Sequence, residues 1–212
     1  MNILIIDCET TGLPKDWGKP SSDVDNWPRI IQYAWELFDE TGKTIRKASH
    51  LILPDGWVIP DKEYFMKQGH TEPEAVKQAK FWTDHGYETG ISMLIGEPIV
   101  KVLKEWVEAY NEADLLLAHN LNFDKSVVSA ELIRAQIKVK GNIPSFCTKL
   151  EGEEICKLPS QYPGKFKWPR LDELYRHLFG KDFEGAHDAE CDVKACKECY
   201  LEIMLRREYE SI

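Results

Sequence analysis

Residues 2 to 10 read Asn2-Ile3-Leu4-Ile5-Ile6-Asp7-Cys8-Glu9-Thr10, and this stretch decides the fold. Apolar side chains on the successive positions 3 to 6 suit a strand buried on both faces, the central strand of a helix-covered sheet. Side chains alternate across a strand, so Asp7 and Glu9 leave its end on one face. Two such carboxylates about 4 Å apart repel by about 4 kcal/mol at an effective dielectric near 20. A hard divalent cation such as Mg²⁺ or Mn²⁺ offsets that repulsion. A solvated strand end, with Thr10, Thr11 and Gly12 in a turn, is the other reading of the pair.

Outward from this strand, residues 29 to 38 and 43 to 53 are rich in β-branched and aromatic side chains, and Asp39-Glu40-Thr41-Gly42 between them predicts a hairpin. Residues 61 to 80 predict two helical pieces broken near Gly69, with Pro73 where the second begins. Residues 81 to 96 show no clear period and hold three glycines, which predicts a loop serving as a lid or an insertion. Helical spacing of Ile99, Val102, Leu103, Trp106 and Val107 precedes a strand-like segment at 114 to 118. A helix over 123 to 137, a short strand at 143 to 147, a helix over 169 to 179 closed by Gly180, and a last helix over 188 to 206 complete the chain. The order predicts one α/β domain over residues 1 to 212 with a mixed sheet.

With 43% hydrophobic residues spread along 212 positions, the chain can bury a full core without disulfides or structural metal. Its six cysteines are too sparse for a disulfide scaffold and read as small buried hydrophobes. No apolar run nears the roughly 18 residues that cross a bilayer, and the first ten residues lack a basic n-region, so a cytoplasmic protein without membrane association is expected. The net charge of −9 argues against nonspecific nucleic-acid binding, yet an acidic pocket holding divalent cations still attracts phosphate.

Two further acidic pieces follow. In His119-Asn120-Leu121-Asn122-Phe123-Asp124, the aspartate falls at a helix start, where the helix dipole favours it with or without metal. In His187-Asp188-Ala189-Glu190-Cys191-Asp192, a regular helix would hold His187 and Asp192 about 140° apart, so they share a site only if His187 lies in the preceding loop.

Asp-x-Glu-Thr at 7 to 10, His-Asn-x-x-Phe-Asp at 119 to 124 and His-x-x-x-x-Asp at 187 to 192 together resemble the DEDD, or DnaQ-like, superfamily of 3′→5′ exonucleases. His187 stands where the superfamily's histidine branch has its histidine. Weaker similarities are Pro28-Arg29-Ile30-Ile31-Gln32, Gly69-His70-Thr71 and Leu171-Asp172-Glu173-Leu174. The resemblance implies an RNase H-like fold with a five-stranded mixed sheet flanked by helices. It also implies two divalent cations, Mg²⁺ or Mn²⁺, held by Asp7, Glu9, Asp124 and Asp192, with His187 as general base. Asp7 would bridge the ions, and the products would be nucleoside 5′-monophosphates.

The implied partners are 3′ ends of single-stranded nucleic acid, DNA favoured, and a DNA polymerase or other replication or repair proteins. Thr10, Thr11 and Leu13 would lie beside the terminal nucleotide, with Asn120, Asn122 and Phe123 at its sugar and base. Lys165-Phe166-Lys167-Trp168-Pro169-Arg170 interleaves basic and aromatic residues and reads either as a single-strand contact or as a solvated loop. His50, His70, His85 and His177 have no comparable context. Two other classes stay open: a catalytically inactive exonuclease-like domain that binds or scaffolds, and a zinc or thiol-redox protein using Cys191, Cys196 and Cys199.

Overall fold

The computed structural model describes residues 1 to 210. β1 (Asn2–Thr10) sits at the centre of five strands. It runs antiparallel to β2 (Ile30–Asp39), which pairs with β3 (Thr44–Leu51) through the expected hairpin. On its other edge β1 runs parallel to β4 (Leu115–Ala118), and β4 runs parallel to β5 (Ser145–Cys147). The sheet order β3-β2-β1-β4-β5 is mixed, as the alternation of elements requires.

Each face of β1 is covered by helices. Leu4, Ile6 and Cys8 pack with residues of α4 (Ile99–Glu112) and α5 (Leu121–Arg134). Ile3 and Ile5 pack instead with Ala189, Val193, Cys196 and Tyr200 of the last helix, α8 (Ala189–Glu210). Asp7 and Glu9 continue the odd-numbered series, so they project toward the α8 side. β1 outruns β4, whose pairing stops at Ile5, and the top of the central strand is left open to side chains from α5 and α8.

The loop expected over residues 81 to 96 is a correction. α1 (Lys62–Lys67) is followed by α2 (Glu72–Asp84), which carries Phe81 and Trp82 in its last turns, and α3 (Thr89–Ile95) follows. Ala75, Ala79 and Trp82 are the buried face of α2, at helical spacing. Only Ser92 is buried in α3, so that helix offers no apolar stripe to read. α6 (Thr148–Cys156) follows β5 without a break and was not anticipated. α7 (Leu171–Phe179) ends as expected at Gly180, whose φ of 69° is the left-handed conformation that glycine adopts most readily. All six cysteines are free. Among the described residues no helix is long and apolar enough to cross a membrane.

Candidate active site

Cys8 lies beyond the last β4 partner of β1, and its amide donates instead to Asp124 Oδ1 at 3.2 Å. That bond carries the first turn of α5 over the end of the central strand. Asp124 is buried there beside Asp7 and Glu9. α5 begins at Leu121, two residues before the expected start, which keeps Asp124 within its first turn. Asn120 precedes it in the left-handed region, and its Oδ1 accepts a hydrogen bond from Lys149 at 2.9 Å.

The third acidic piece is organised by Asp188. Its carboxylate accepts from the amides of Glu190 and Cys191, both at 3.1 Å, so Asp188 caps α8 and leaves His187 outside the helix. The His187 amide turns back to donate to Asp192 Oδ2 at 3.2 Å. Gly185 makes the turn possible: its φ is +81°, and a β-carbon there would meet Cys191 Sγ at 2.6 Å. Donor atoms of Glu9, His187 and Asp192 lie within 4.8 Å of one another.

Burial, with added repulsion from Asp124, Asp192 and Glu9, raises the Asp7 carboxyl well above the usual range. Burial raises Glu9 to about 8, with Asp192 and Asp124 adding to it. Asp124 and Asp192 are each pushed by burial to about 7, partly offset by main-chain donors, Cys8 among those to Asp124 and His187 for Asp192. Asp192 Oδ1 is buried with no hydrogen-bond partner. An oxygen-only cluster that resists ionisation and holds an unsatisfied buried oxygen fits a hard divalent cation.

Asp7, Glu9, Asp124, His187 and Asp192 line one cavity of about 840 Å³. Thr10, Leu13, Asn120 and Phe123 also line it, whereas Thr11 and Asn122 do not. Thr11 Oγ1 is occupied in accepting from the Arg29 amide at 3.0 Å, which ties it to the start of β2. The basic and aromatic loop ahead of α7 reaches the same cavity with Lys167, Trp168 and Arg170.

Several contributors were invisible in sequence. Trp82 Nε1 donates to the Thr10 carbonyl at 3.0 Å and pins the end of β1. His85, expected to be without context, stacks edge-on against His187 with centroids 4.9 Å apart, and Phe81 does likewise at 5.5 Å. Burial, and then the neighbouring His85 imidazole, lowers the His187 pKa. His119 Nε2 lies 3.1 Å from the Pro169 carbonyl, which can only accept, so the proton sits on Nε2. Nδ1 then accepts from Thr148 Oγ1 at 2.9 Å, and the Cys196 thiol, 3.3 Å away, is left to donate to Thr148. Burial holds His119 neutral by lowering its pKa to about 4. The histidine of the second motif thus anchors the Trp168 loop.

No family model matches the chain. It is 28% identical over 200 residues to the DNA polymerase III subunit epsilon of Treponema pallidum (strain Nichols), covering 92% of this chain and 72% of that protein. Its fold is similar to that of E. coli exonuclease I in complex with a dT13 oligonucleotide, with a TM-score of 0.64, 17% identity and 98% of this chain covered. Exonuclease I from Methylocaldum szegediense gives a TM-score of 0.62 at 18% identity, again over 98% of this chain. The chain spans 42% and 41% of those two proteins. A 3′-exonuclease described as recognising the histone mRNA stem-loop is similar with a TM-score of 0.56 at 16% identity, over 97% of this chain and 82% of its own. In sequence the chain is similar to a DnaQ-like epsilon subunit and in fold to exonucleases, consistent with the DEDD superfamily that its three motifs resemble.

Proposed function

We propose that the chain is a 3′→5′ exonuclease that hydrolyses nucleic acid, DNA by preference, from the 3′ end to nucleoside 5′-monophosphates. The observation that carries this reading is the convergence of Asp7, Glu9, Asp124, Asp192 and His187 on one cavity from strand, helix and loop. Homology to the epsilon subunit supports the same class of reaction. Exonucleases of this superfamily use divalent metal ions; two, Mg²⁺ or Mn²⁺, are proposed here, held by the four carboxylates.

Held by Asp7, Glu9, Asp124 and Asp192, such ions would neutralise the phosphate and lower the pKa of the attacking water. Asp7 and Glu9 offer oxygens from one strand face, with Asp192 facing them from α8 and Asp124 from α5. His187 accepts the water proton: its lowered pKa keeps the imidazole neutral, and its loop position brings it within reach of Glu9 and Asp192. Phe81 and His85 hold the ring by edge contacts. Thr10, Leu13, Asn120 and Phe123 receive the terminal nucleotide. Partnership with a DNA polymerase or other replication or repair proteins, and a cytoplasmic location, belong to the same proposal.

The test is stepwise shortening of 5′-labelled single-stranded DNA in Mg²⁺, with the released nucleoside 5′-monophosphates measured alongside, run beside duplex DNA and short RNA. Asp7→Ala and His187→Ala should each abolish release, and a blocked 3′ terminus should stop the wild type. Full activity of Asp7→Ala, or cuts in circular single-stranded DNA, would overturn the assignment.

A further inference from the structure

Beside the carboxylate cavity lies a second one of about 640 Å³, and the two share Asn120, Lys149 and Trp168 as a common wall. Its other side carries Trp17 and Lys125. Trp17 and Trp168 are 53% and 54% exposed, so two large indoles present open faces to one groove. Trp17 also meets Phe123, which lines the carboxylate cavity, at a centroid distance of 5.8 Å. An aromatic path therefore joins the two cavities.

The groove's own cations are not spent on carboxylates. Lys167 and Arg170 of the basic loop are engaged by Glu173 and Asp172. Glu151, the acidic residue lining the groove, is paired with Arg207. Among the described residues no carboxylate forms an ion pair with Lys125 or Lys149. Lys149 instead lies over the Trp168 ring, 4.9 Å from its centroid. In a chain of net charge −9, this is a place where unpaired cations and exposed rings coincide. Phosphates and unstacked bases are the ligand that such a combination fits, and stacking tolerates any base.

We propose that the second cavity binds the nucleotides upstream of the 3′ terminus of a single strand. The strand leaves the carboxylate cavity across Lys149 and Trp168 and runs toward Trp17 and Lys125. The polarity of this path rests on the exonuclease reading; the binding itself does not. The proposal also divides the basic loop: Trp168 contacts the strand, while Lys167 and Arg170 serve the first turn of α7.

The experiment measures binding of 5′-fluorescein dT2 and dT8 to the full chain in EDTA, alongside their hydrolysis in Mg²⁺. The wild type should bind dT8 at least about tenfold more tightly than dT2, and Trp17→Ala combined with Lys125→Ala should erase most of that gain. The salt dependence of dT8 binding should flatten in the Lys125→Ala variant, by about 0.7 in log–log slope for one phosphate lost. Both substituted side chains are partly exposed, so folding is checked by an unchanged melting curve. An intact length gain in the double variant, equal losses for dT2 and dT8, or no length gain in the wild type would each overturn the proposal. Length-dependent binding without mononucleotide release would sink the exonuclease reading and leave the groove standing; release without length dependence would do the reverse.

Discussion

The Tyr87 hydroxyl lies 3.0 Å from the main-chain carbonyl oxygen of His187, a contact that joins residues 100 positions apart. The same hydroxyl lies 2.5 Å from Gln32 Oε1, and Gln32 also holds the start of α8 by donating to Asp188 at 3.0 Å and accepting from the Ala189 amide at 3.2 Å. The segment between α2 and α3 is thereby a brace for the His187 loop. Tyr87→Phe removes the hydroxyl and keeps the ring. We expect kcat on single-stranded DNA to fall about tenfold with KM little changed, because a misplaced base affects the chemical step more than binding. Steady-state kinetics check this, and a change confined to KM would show that Tyr87 serves substrate binding instead.

The carboxylate cluster sets a stability trend with pH. Asp124 and Asp192 titrate near 7 and Glu9 near 8 in the folded chain, above their unfolded values near 4, so folding takes up protons between those limits. Stability is then lost as pH rises through the folded values. His119, lowered to about 4, acts oppositely but only below about 6.5. In EDTA the melting temperature should therefore fall from pH 6.5 to 8.5, and millimolar Mg²⁺ should flatten that slope. Differential scanning fluorimetry across the series checks both.

It follows that Asp124→Asn and Asp192→Asn, which remove buried negative charge, should raise the melting temperature in EDTA at pH 8 while abolishing activity. Such a trade of stability against function is expected where like charges are held together for a ligand. A lower melting temperature in both variants would show that the main-chain donors to these carboxylates dominate over their repulsion.

Glu131 on α5 is 1% exposed in its side chain and accepts from Arg29 Nε at 2.7 Å and Arg134 Nη1 at 3.0 Å. Arg134 in turn donates to the carbonyls of Val24 and Trp27, fastening the segment between β1 and β2 that carries Leu13 and Trp17. Glu131→Ala strands two partly buried guanidinium groups and should cost about 3 kcal/mol, read from urea unfolding. Thr148→Val, which leaves His119 Nδ1 without its donor, should cost about 1 to 2 kcal/mol.

The central strand, the hairpin and α7 with its glycine stop were legible because each has a local cause: a two-sided apolar run, a turn between β-rich stretches, and a left-handed cap. The three acidic motifs were legible as a set, and helix geometry set the condition that His187 meets, a place in the loop before α8. α6 was not, because its buried positions Thr148, Gly152 and Cys156 are small or polar and leave no apolar stripe. α3 hid for a related reason, burying only Ser92. His85 and Tyr87 gave no signal because His187, which both of them meet, is about a hundred residues away and reaches them only through packing. Thr11 looked like a neighbour of the site, but its hydroxyl is committed to Arg29.

Asp7 comes from the first strand and Asp192 from the last helix. During synthesis the first carboxylate pair emerges early and Asp124 of α5 can join it, yet Asp192 and His187 reach it only when α8 has docked on the sheet. The five residues of the proposed site therefore come together only after residue 192 has been made, and topology sets the order of that assembly.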